Sequence, residues 1–171
     1  QYDACAKRLI GQKMILAHIL VRTVDEFKGM QPMDVVPLIE GEPKIGIVPV
    51  EPGLTNERQG DKIIGLNTEN TEEKEGLIRF DIVFYARMRD GLTQIIINVE
   101  AQTKFKPGYP LTKRAIYYCS RMISAQHGPI FTKSEYGKIR KVYSIWICTQ
   151  PSDGFENTLT RYSIKPEQLI G

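Results

Sequence analysis

Two strand-like runs separated by an Asp-Gly pair constrain the fold of this chain more than any other feature. Residues 79–88 and 92–102 are rich in β-branched and aromatic side chains, and Asp90 and Gly91 stand between them. A type I′ turn needs positive φ at both central positions, and Asp-Gly is among the pairs that provide it. The pattern therefore predicts an antiparallel β-hairpin centred on Asp90 and Gly91.

The turn also fixes which residues of the two strands face each other. If Asp90 and Gly91 are the two loop residues, the numbers of paired residues sum to 181. One face is then almost wholly apolar, with Phe80, Ile82, Phe84, Ala86 and Met88 opposite Ala101, Val99, Ile97, Ile95 and Thr93. The other face is mixed and polar, with Asp81, Val83, Tyr85, Arg87 and Arg89 opposite Glu100, Asn98, Ile96, Gln94 and Leu92. The alternation agrees with the turn, which supports this register.

The predicted register places two carboxylates, Asp81 and Glu100, directly across the strand pair. Their Cβ atoms would lie about 5 Å apart, where like charges are destabilising. A divalent cation held by both groups compensates this repulsion, and a shared proton is the alternative. In a third interpretation the carboxylates end the sheet, pair with Arg79 or Lys104, and have no function. A glycosidase pair is disfavoured because few aromatic residues lie beside these carboxylates.

The remaining pattern predicts an α/β fold in which the hairpin is joined through a helix to a further strand. Helical spacing predicts helices over residues 3–27 and 110–126. Five prolines between residues 32 and 52 exclude long helices there, and residues 34–39 and 45–50 are predicted as edge strands. Residues 69–76 predict an exposed loop, and residues 139–149 a strand buried on both faces.

Composition excludes several classes of protein. The 171 residues are 42% hydrophobic and 25% charged, which is typical of a soluble globular domain and not of a disordered or fibrous chain. The longest apolar runs are too short to cross a bilayer, so we expect no membrane span. The three cysteines are far apart and form no Cys-x-x-Cys motif, which disfavours a zinc site and a disulfide framework and suits the cytoplasm.

The net charge of +3 divides unevenly along the chain. Residues 1–85 carry 10 basic and 14 acidic side chains, whereas residues 86–171 carry 13 basic and 6 acidic ones. This asymmetry indicates an anionic partner for the second half, or an unevenly charged surface with no partner, and the sequence leaves both open. Arg114, Tyr118 and Arg121 follow at one-turn spacing on the second helix. They face a phosphate backbone in one interpretation; in the other, Tyr118 is in the core and the arginines are solvated.

Short motifs occur in a fixed order along most of the chain. The central ones are Arg79-Phe80-Asp81, Asn98-Val99-Glu100-Ala101-Gln102 and Leu111-Thr112-Lys113-Arg114-Ala115-Ile116-Tyr117-Tyr118. The outer ones are Tyr2-Asp3-Ala4-Cys5-Ala6-Lys7, Lys141-Val142-Tyr143-Ser144-Ile145-Trp146-Ile147, and Asn157-Thr158 with Tyr162. In this ordered set the chain resembles the PD-(D/E)XK nuclease family transposases, which are related to bacterial recombination-promoting nucleases.

The resemblance implies a restriction-endonuclease-like core: a mixed central sheet with an antiparallel hairpin, flanked by helices, in one domain over residues 1–171. It also implies Mg²⁺- or Mn²⁺-dependent hydrolysis of DNA, associated with mobile elements, with Asp81 and Glu100 as catalytic metal ligands. A homodimer is a further expectation. The chain starts at Gln1 without Met, and family members commonly continue further, so we expect a fragment of a longer protein.

Two residues depart from the family's motif. Phe80 replaces the usual proline, and its place on the apolar face makes this a change of packing. Gln102 replaces the usual lysine; it cannot supply a positive charge, but it can orient the attacking water through hydrogen bonds. Lys104, on the same face, would supply that charge and contact DNA if the strand extends so far. The alternative function is therefore a catalytically impaired module of the same fold that binds DNA or a protein partner.

Residues outside the hairpin are candidates to complete the site. Lys7 and Lys13 of the first helix could reach it, as could an acid such as Glu26 or Glu69. The sequence alone does not choose among these acids.

Overall fold

A mixed four-stranded sheet flanked by helices lies at the centre of the fold. The computed structural model describes residues 2–50, 56–59, 62–65, 78–88, 94–104 and 108–170. Its helices are α1 (Tyr2–Ile10), α2 (Lys13–Thr23), α3 (Pro32–Val35) and α4 (Leu111–Ser124). Its strands are β1 (Ile39–Val50), β2 (Asn56–Gln59), β3 (Lys62–Gly65), β4 (Ile78–Arg87), β5 (Gln94–Lys104) and β6 (Val142–Gln150).

The central sheet has the strand order β1-β4-β5-β6, and β2 and β3 pair with each other in a second sheet. β4 is antiparallel to both β1 and β5, whereas β6 is parallel to β5. A parallel pair needs a crossover connection, and α4 lies in the chain between β5 and β6. The predicted α/β architecture, with a hairpin joined through a helix to a further strand, is confirmed.

The N-terminal segment differs from the single helix predicted over residues 3–27. α1 ends at Ile10, α2 begins at Lys13, and a short 3₁₀ turn follows at Asp25–Phe27. The interruption falls at Gly11, a weak helix former. Gly11 also lies against β1, because a Cβ atom built there would overlap Ile45 Cδ1. The break thus turns the chain between two helices at a point of close approach to the sheet.

The proline-rich region contains one of the two edge strands predicted there. β1 includes residues 45–50 and lies at the edge of the sheet, as predicted. The strand predicted over residues 34–39 is wrong, because α3 and a 3₁₀ turn at Val36–Leu38 precede β1. Pro32 and Pro37 each stand in the first turn of these short helices, where a missing N–H costs nothing. The loop predicted over residues 69–76 lies outside the described residues.

Each face of the sheet has its own hydrophobic core. The first core joins α2 to the predicted apolar face of the hairpin and contains Leu16, Ala17, Leu20, Val24, Phe27, Val35, Ile39, Ile82, Phe84, Ala86, Ile97 and Val99. The second core joins α4 to the other face and contains Phe80, Tyr85, Tyr118, Met122 and Ala125. The helix predicted over residues 110–126 therefore exists and covers the face that the sequence pattern describes as mixed and polar.

β6 is less buried than the strand predicted over residues 139–149. It is the last strand of the sheet, and its residues are half-buried or exposed. Tyr143, Ile145 and Ile147 pack on the first core, while Val142 and Trp146 pack on the second. Both faces are therefore covered, but the outer edge is open because no described strand pairs there.

Two further findings bear on the sequence predictions. No helix in the described part of the chain is long and apolar enough to cross a membrane. Cys5, Cys119 and Cys148 are free thiols.

Candidate active site

The hairpin strands pair in the register that the turn predicts. The pairs run from Arg87 opposite Gln94 to Ile82 opposite Val99, and the numbers of each pair sum to 181. Asp90 and Gly91 themselves lie outside the described residues. The ladder ends at Ile82 and Val99, one position before Asp81 and Glu100.

The carboxylates of Asp81 and Glu100 cross between the strands. Glu100 Oε1 accepts a hydrogen bond from the Asp81 backbone N–H at 3.0 Å, and Asp81 Oδ2 accepts one from the Ala101 backbone N–H at 3.1 Å. Each carboxylate thus accepts a hydrogen bond from a backbone N–H of the opposite strand, just beyond the last backbone pair, Ile82 and Val99. Glu100 is only 3% exposed. The two acids are held together by the backbone itself, which is the juxtaposition predicted from the sequence.

Phe80 differs from its predicted place on the apolar face. Its ring lies in the second core and meets the Tyr118 ring edge-on, with the centroids 5.0 Å apart. The pairing of β1 with β4 shifts between Ile45 opposite Ile82 and Val48 opposite Phe80. Such an irregularity bends a strand and increases its twist, which interrupts simple alternation. The residue before Asp81 therefore packs against α4.

Lys7 brings a positive charge to the carboxylate pair. Its Nζ lies 2.8 Å from Asp81 Oδ1, and the two side chains are 19% and 17% exposed. Lys13, the other lysine predicted as a candidate, pairs instead with the exposed Glu42 at 3.4 Å. Of the two candidate lysines, Lys7 is the one that the structure brings to Asp81.

Three aromatic side chains surround Arg114 beside the carboxylates. We call this cluster of Arg114, Tyr109, Tyr118 and Trp146 the Arg114 wall. Tyr118 Oη accepts hydrogen bonds from Arg114 Nε at 3.1 Å and Nη2 at 2.6 Å, and Tyr109 Oη accepts one from Nη1 at 2.8 Å. The guanidinium carbon lies 5.0 Å from the Tyr118 ring centroid and 5.1 Å from that of Trp146. These cation–π contacts and hydrogen bonds fix the guanidinium in one orientation.

The charges of the two acids act on Tyr118, a member of the Arg114 wall. Burial raises the pKa of Tyr118, and the negative charges of Glu100 and Asp81 raise it further, while the hydrogen bond from Arg114 opposes the rise. The Tyr118 phenol is therefore within the field of both carboxylates and stays protonated at neutral pH. Trp146 stands opposite Glu100 in the parallel pairing of β5 and β6, so it belongs to the same neighbourhood.

The structure places the other predicted site residues as follows. Gln102 is half-buried on β5, two residues after Glu100 and therefore on the same face. β5 does extend to Lys104, which pairs with Gln150. Arg121 is only 4% exposed, in contrast to the surface position that a DNA contact requires. Arg121 is therefore neither at a DNA-facing surface nor solvated, so neither sequence interpretation of this residue agrees with its position.

The predicted candidate acid Glu26 is not brought to this site. Its carboxylate binds Lys141 Nζ and the Tyr143 hydroxyl, each at 2.6 Å, at the beginning of β6. Tyr143 pairs with Ile97, three residues before Glu100. Glu69 lies outside the described residues.

The carboxylates of Asp81 and Glu100 are the side chains at this site that could bind a metal ion. Within the described ranges, no group of three or more His, Cys, Asp or Glu side chains could hold a metal. Asp81 and Glu100 offer two carboxylates, which are hard oxygen ligands. Mg²⁺ is commonly held by one or two carboxylates, with waters and substrate phosphates completing its octahedron. The two acids fit such an ion and do not fit a closed structural zinc site.

Sequence reasoning missed Tyr109 and Trp146, and its premise that few aromatic residues lie beside the carboxylates is wrong. Tyr109 lies five residues before Arg114, just ahead of α4, where helical spacing does not apply. Trp146 reaches the site only through the parallel register of β6 with β5, which no local pattern indicates. A lone tryptophan in the strand following the crossover helix was the one available signal.

A mixed sheet flanked by helices, with two acids interlocked on adjacent strands, is consistent with the PD-(D/E)XK nuclease-like fold. The family model for the PD-(D/E)XK nuclease family transposases matches residues 55–167, about two thirds of the chain. The chain belongs to this family. Comparison with curated proteins and with solved structures gave no significant match.

Proposed function

We propose that this chain is a metal-dependent DNA endonuclease that hydrolyses phosphodiester bonds with Mg²⁺ or Mn²⁺. The observation that carries the proposal is the interlock of Asp81 and Glu100, in which each carboxylate accepts a backbone hydrogen bond from the other strand. Two acids held together in this way are suited to a divalent ion that also binds a phosphate. Membership of a nuclease and transposase family supports the same class of reaction.

Each side chain has a separate part in the proposed reaction. Asp81 and Glu100 would hold the ion, which when bound polarises the scissile phosphate and acidifies a water molecule. Gln102, on the same face as Glu100, would orient the attacking water through its amide.

The Arg114 wall is suited to bind the phosphate backbone. Three of the five N–H donors of a guanidinium are directed at the hydroxyls of Tyr109 and Tyr118. Arg114 would donate others to phosphate oxygens. Tyr118, which is buried in the second core, would act by holding the guanidinium in place. We also propose Lys104, at the end of β5, as a backbone contact. The basic balance of residues 86–171 supports DNA as the anionic partner.

Two expectations from the family extend this proposal. Double-strand cleavage needs two active sites, so we expect a homodimer at the moment of cleavage. The three free thiols suit a reducing compartment, and we place the reaction in the cytoplasm.

A second candidate function is favoured by Gln102. The position two residues after Glu100 carries no charge, so a chain that retains the fold and binds DNA without cleaving it is the alternative. Such a module would keep the Arg114 wall and lose only the chemistry.

A plasmid-nicking assay with metal removal tests the proposal. We expect the purified chain to convert supercoiled plasmid to open circles in Mg²⁺ or Mn²⁺, and to stop when EDTA removes the ion, because the two carboxylates alone cannot activate water. A gel-shift assay on the same preparation measures DNA binding. Binding without nicking in either metal would favour the non-catalytic module, and nicking that continues in EDTA would contradict the metal-dependent mechanism.

A further inference from the structure

The first helix delivers a lysine to the carboxylate pair. Lys7 lies in the last turn of α1, and its Nζ is 2.8 Å from Asp81 Oδ1. The Lys7 side chain is 19% exposed and that of Asp81 is 17% exposed, so water screens the pair less than it screens a surface ion pair. The ammonium group therefore stands at the acid that we propose as a metal ligand.

In sequence, Lys104 is the one charged residue of β5 beyond Glu100. Gln102 is neutral, and the next residue of the same face with a charge, Lys104, ends β5 four residues beyond Glu100. A phosphodiester gains negative charge in the transition state of its hydrolysis, and positively charged donors fixed beside it stabilise that charge. A site with two carboxylates and a neutral amide would therefore gain from a cation delivered by another element of the fold.

We propose that Lys7 supplies this positive charge from α1 and contacts the scissile phosphate when DNA is bound. The inference rests on the proposed nuclease function and assigns a further catalytic residue to it. Asp81 holds the ammonium group at the site in the absence of DNA through the 2.8 Å ion pair. Lys7 belongs to α1, whereas the two acids belong to β4 and β5, so the proposed cation and the acids come from different elements of the fold.

Two other roles for Lys7 make different predictions. If Lys7 only neutralises Asp81 for stability, its removal lowers the unfolding temperature but leaves the DNA contacts of the folded protein unchanged. If Lys7 occupies the position of the metal ion and opposes its binding, its removal speeds cleavage. The proposal requires instead that removal weakens both DNA binding and cleavage.

The test compares Lys7→Met with Lys13→Met, a matched lysine variant whose native partner is the exposed Glu42. Single-turnover nicking is measured in Mg²⁺, and DNA affinity is measured in Ca²⁺ over a range of salt concentrations. We expect Lys7→Met to nick at least about tenfold more slowly, as the loss of one charge-assisted hydrogen bond implies. Its slope of log K against log salt should fall by about 0.9, the contribution of one phosphate contact. Lys13→Met should match the wild type in both measurements.

Lys7→Arg separates charge from stability. It retains a cation beside Asp81, so we expect the wild-type salt slope to return, with circular dichroism confirming that every variant is folded. An unchanged salt slope in folded Lys7→Met, or nicking as fast as the wild type, would overturn the assignment of Lys7.

The two measurements distinguish a failure of the Lys7 assignment from a failure of the nuclease proposal. If the wild type nicks plasmid and Lys7→Met nicks equally well, only the role of Lys7 fails. If the wild type does not nick but Lys7→Met loses one phosphate contact in the salt titration, the nuclease proposal fails and the contact of Lys7 with DNA stands.

Discussion

Replacing Glu100 by glutamine should lower the single-turnover rate of DNA nicking by about 1000-fold. The loss of one metal-binding charge removes about 4 kcal/mol of transition-state stabilisation, and each 1.36 kcal/mol is a factor of ten in rate. The fold should survive, because the glutamine amide oxygen can still accept the hydrogen bond that Glu100 Oε1 accepts from the Asp81 N–H. The rate is measured by plasmid nicking at saturating Mg²⁺, and we expect Asp81→Asn to show a comparable loss.

Glu135→Gln is the matched control for this experiment. Glu135 also accepts a hydrogen bond from a backbone N–H, that of Thr132, and pairs with a lysine, Lys138, but it lies on the exposed surface. We expect this variant to nick at the wild-type rate. If Glu100→Gln cleaves within about threefold of the wild type while Glu135→Gln does the same, the Glu100 carboxylate has no part in cleavage.

Replacing Arg114 by methionine should slow nicking by about 100-fold and weaken DNA binding about tenfold. The first figure is typical for the loss of one fixed donor to a developing negative charge, and the second for the loss of one charge-assisted hydrogen bond. Methionine keeps the apolar stem against Tyr118 and Trp146 but loses the cation–π contacts and the hydrogen bonds to Tyr109 and Tyr118. Cleavage is measured by nicking and affinity by fluorescence anisotropy, both well below the unfolding temperature.

The neighbouring Lys113→Met removes one positive charge of the same helix and serves as the control. Lys113 is exposed, and Arg114 is the residue that binds the tyrosine hydroxyls of the wall. We expect Lys113→Met to change binding only through general screening, by less than about threefold. Equal losses in the two variants would show that the wall contributes charge to the surface and no specific phosphate contact.

The hairpin could be predicted because two independent signals agree. Asp90 and Gly91 predict the turn, and the alternation of apolar residues on either side gives the same register, so the sequence alone predicts that Asp81 and Glu100 lie together. α4 was predicted because Leu111, Tyr118 and Met122 recur at helical spacing. Local sequence patterns are enough to predict structure where the interacting residues lie on one strand pair or on one helix.

The remaining features depend on contacts between distant parts of the chain. Gly11 ends α1 where it meets Ile45 of β1, and an N-terminal periodicity cannot indicate that approach. Phe80 packs on Tyr118 because of the irregular pairing of β1 with β4. Arg121 lies on the buried side of α4, although its charge predicts exposure. Lys7 was one of four candidates in sequence, and only the packing of α1 selects it.

The direct test of the central claim is the position of a bound metal ion. Crystals grown with Mn²⁺ and measured at an anomalous wavelength should show one strong peak between the carboxylates of Asp81 and Glu100. The ion should lie at about 2.0–2.3 Å from an oxygen of each side chain, the range for hard cations and carboxylates. A protein that nicks DNA in Mn²⁺ while its anomalous peak lies elsewhere, with these two carboxylates uncoordinated, would rule out Asp81 and Glu100 as the metal ligands.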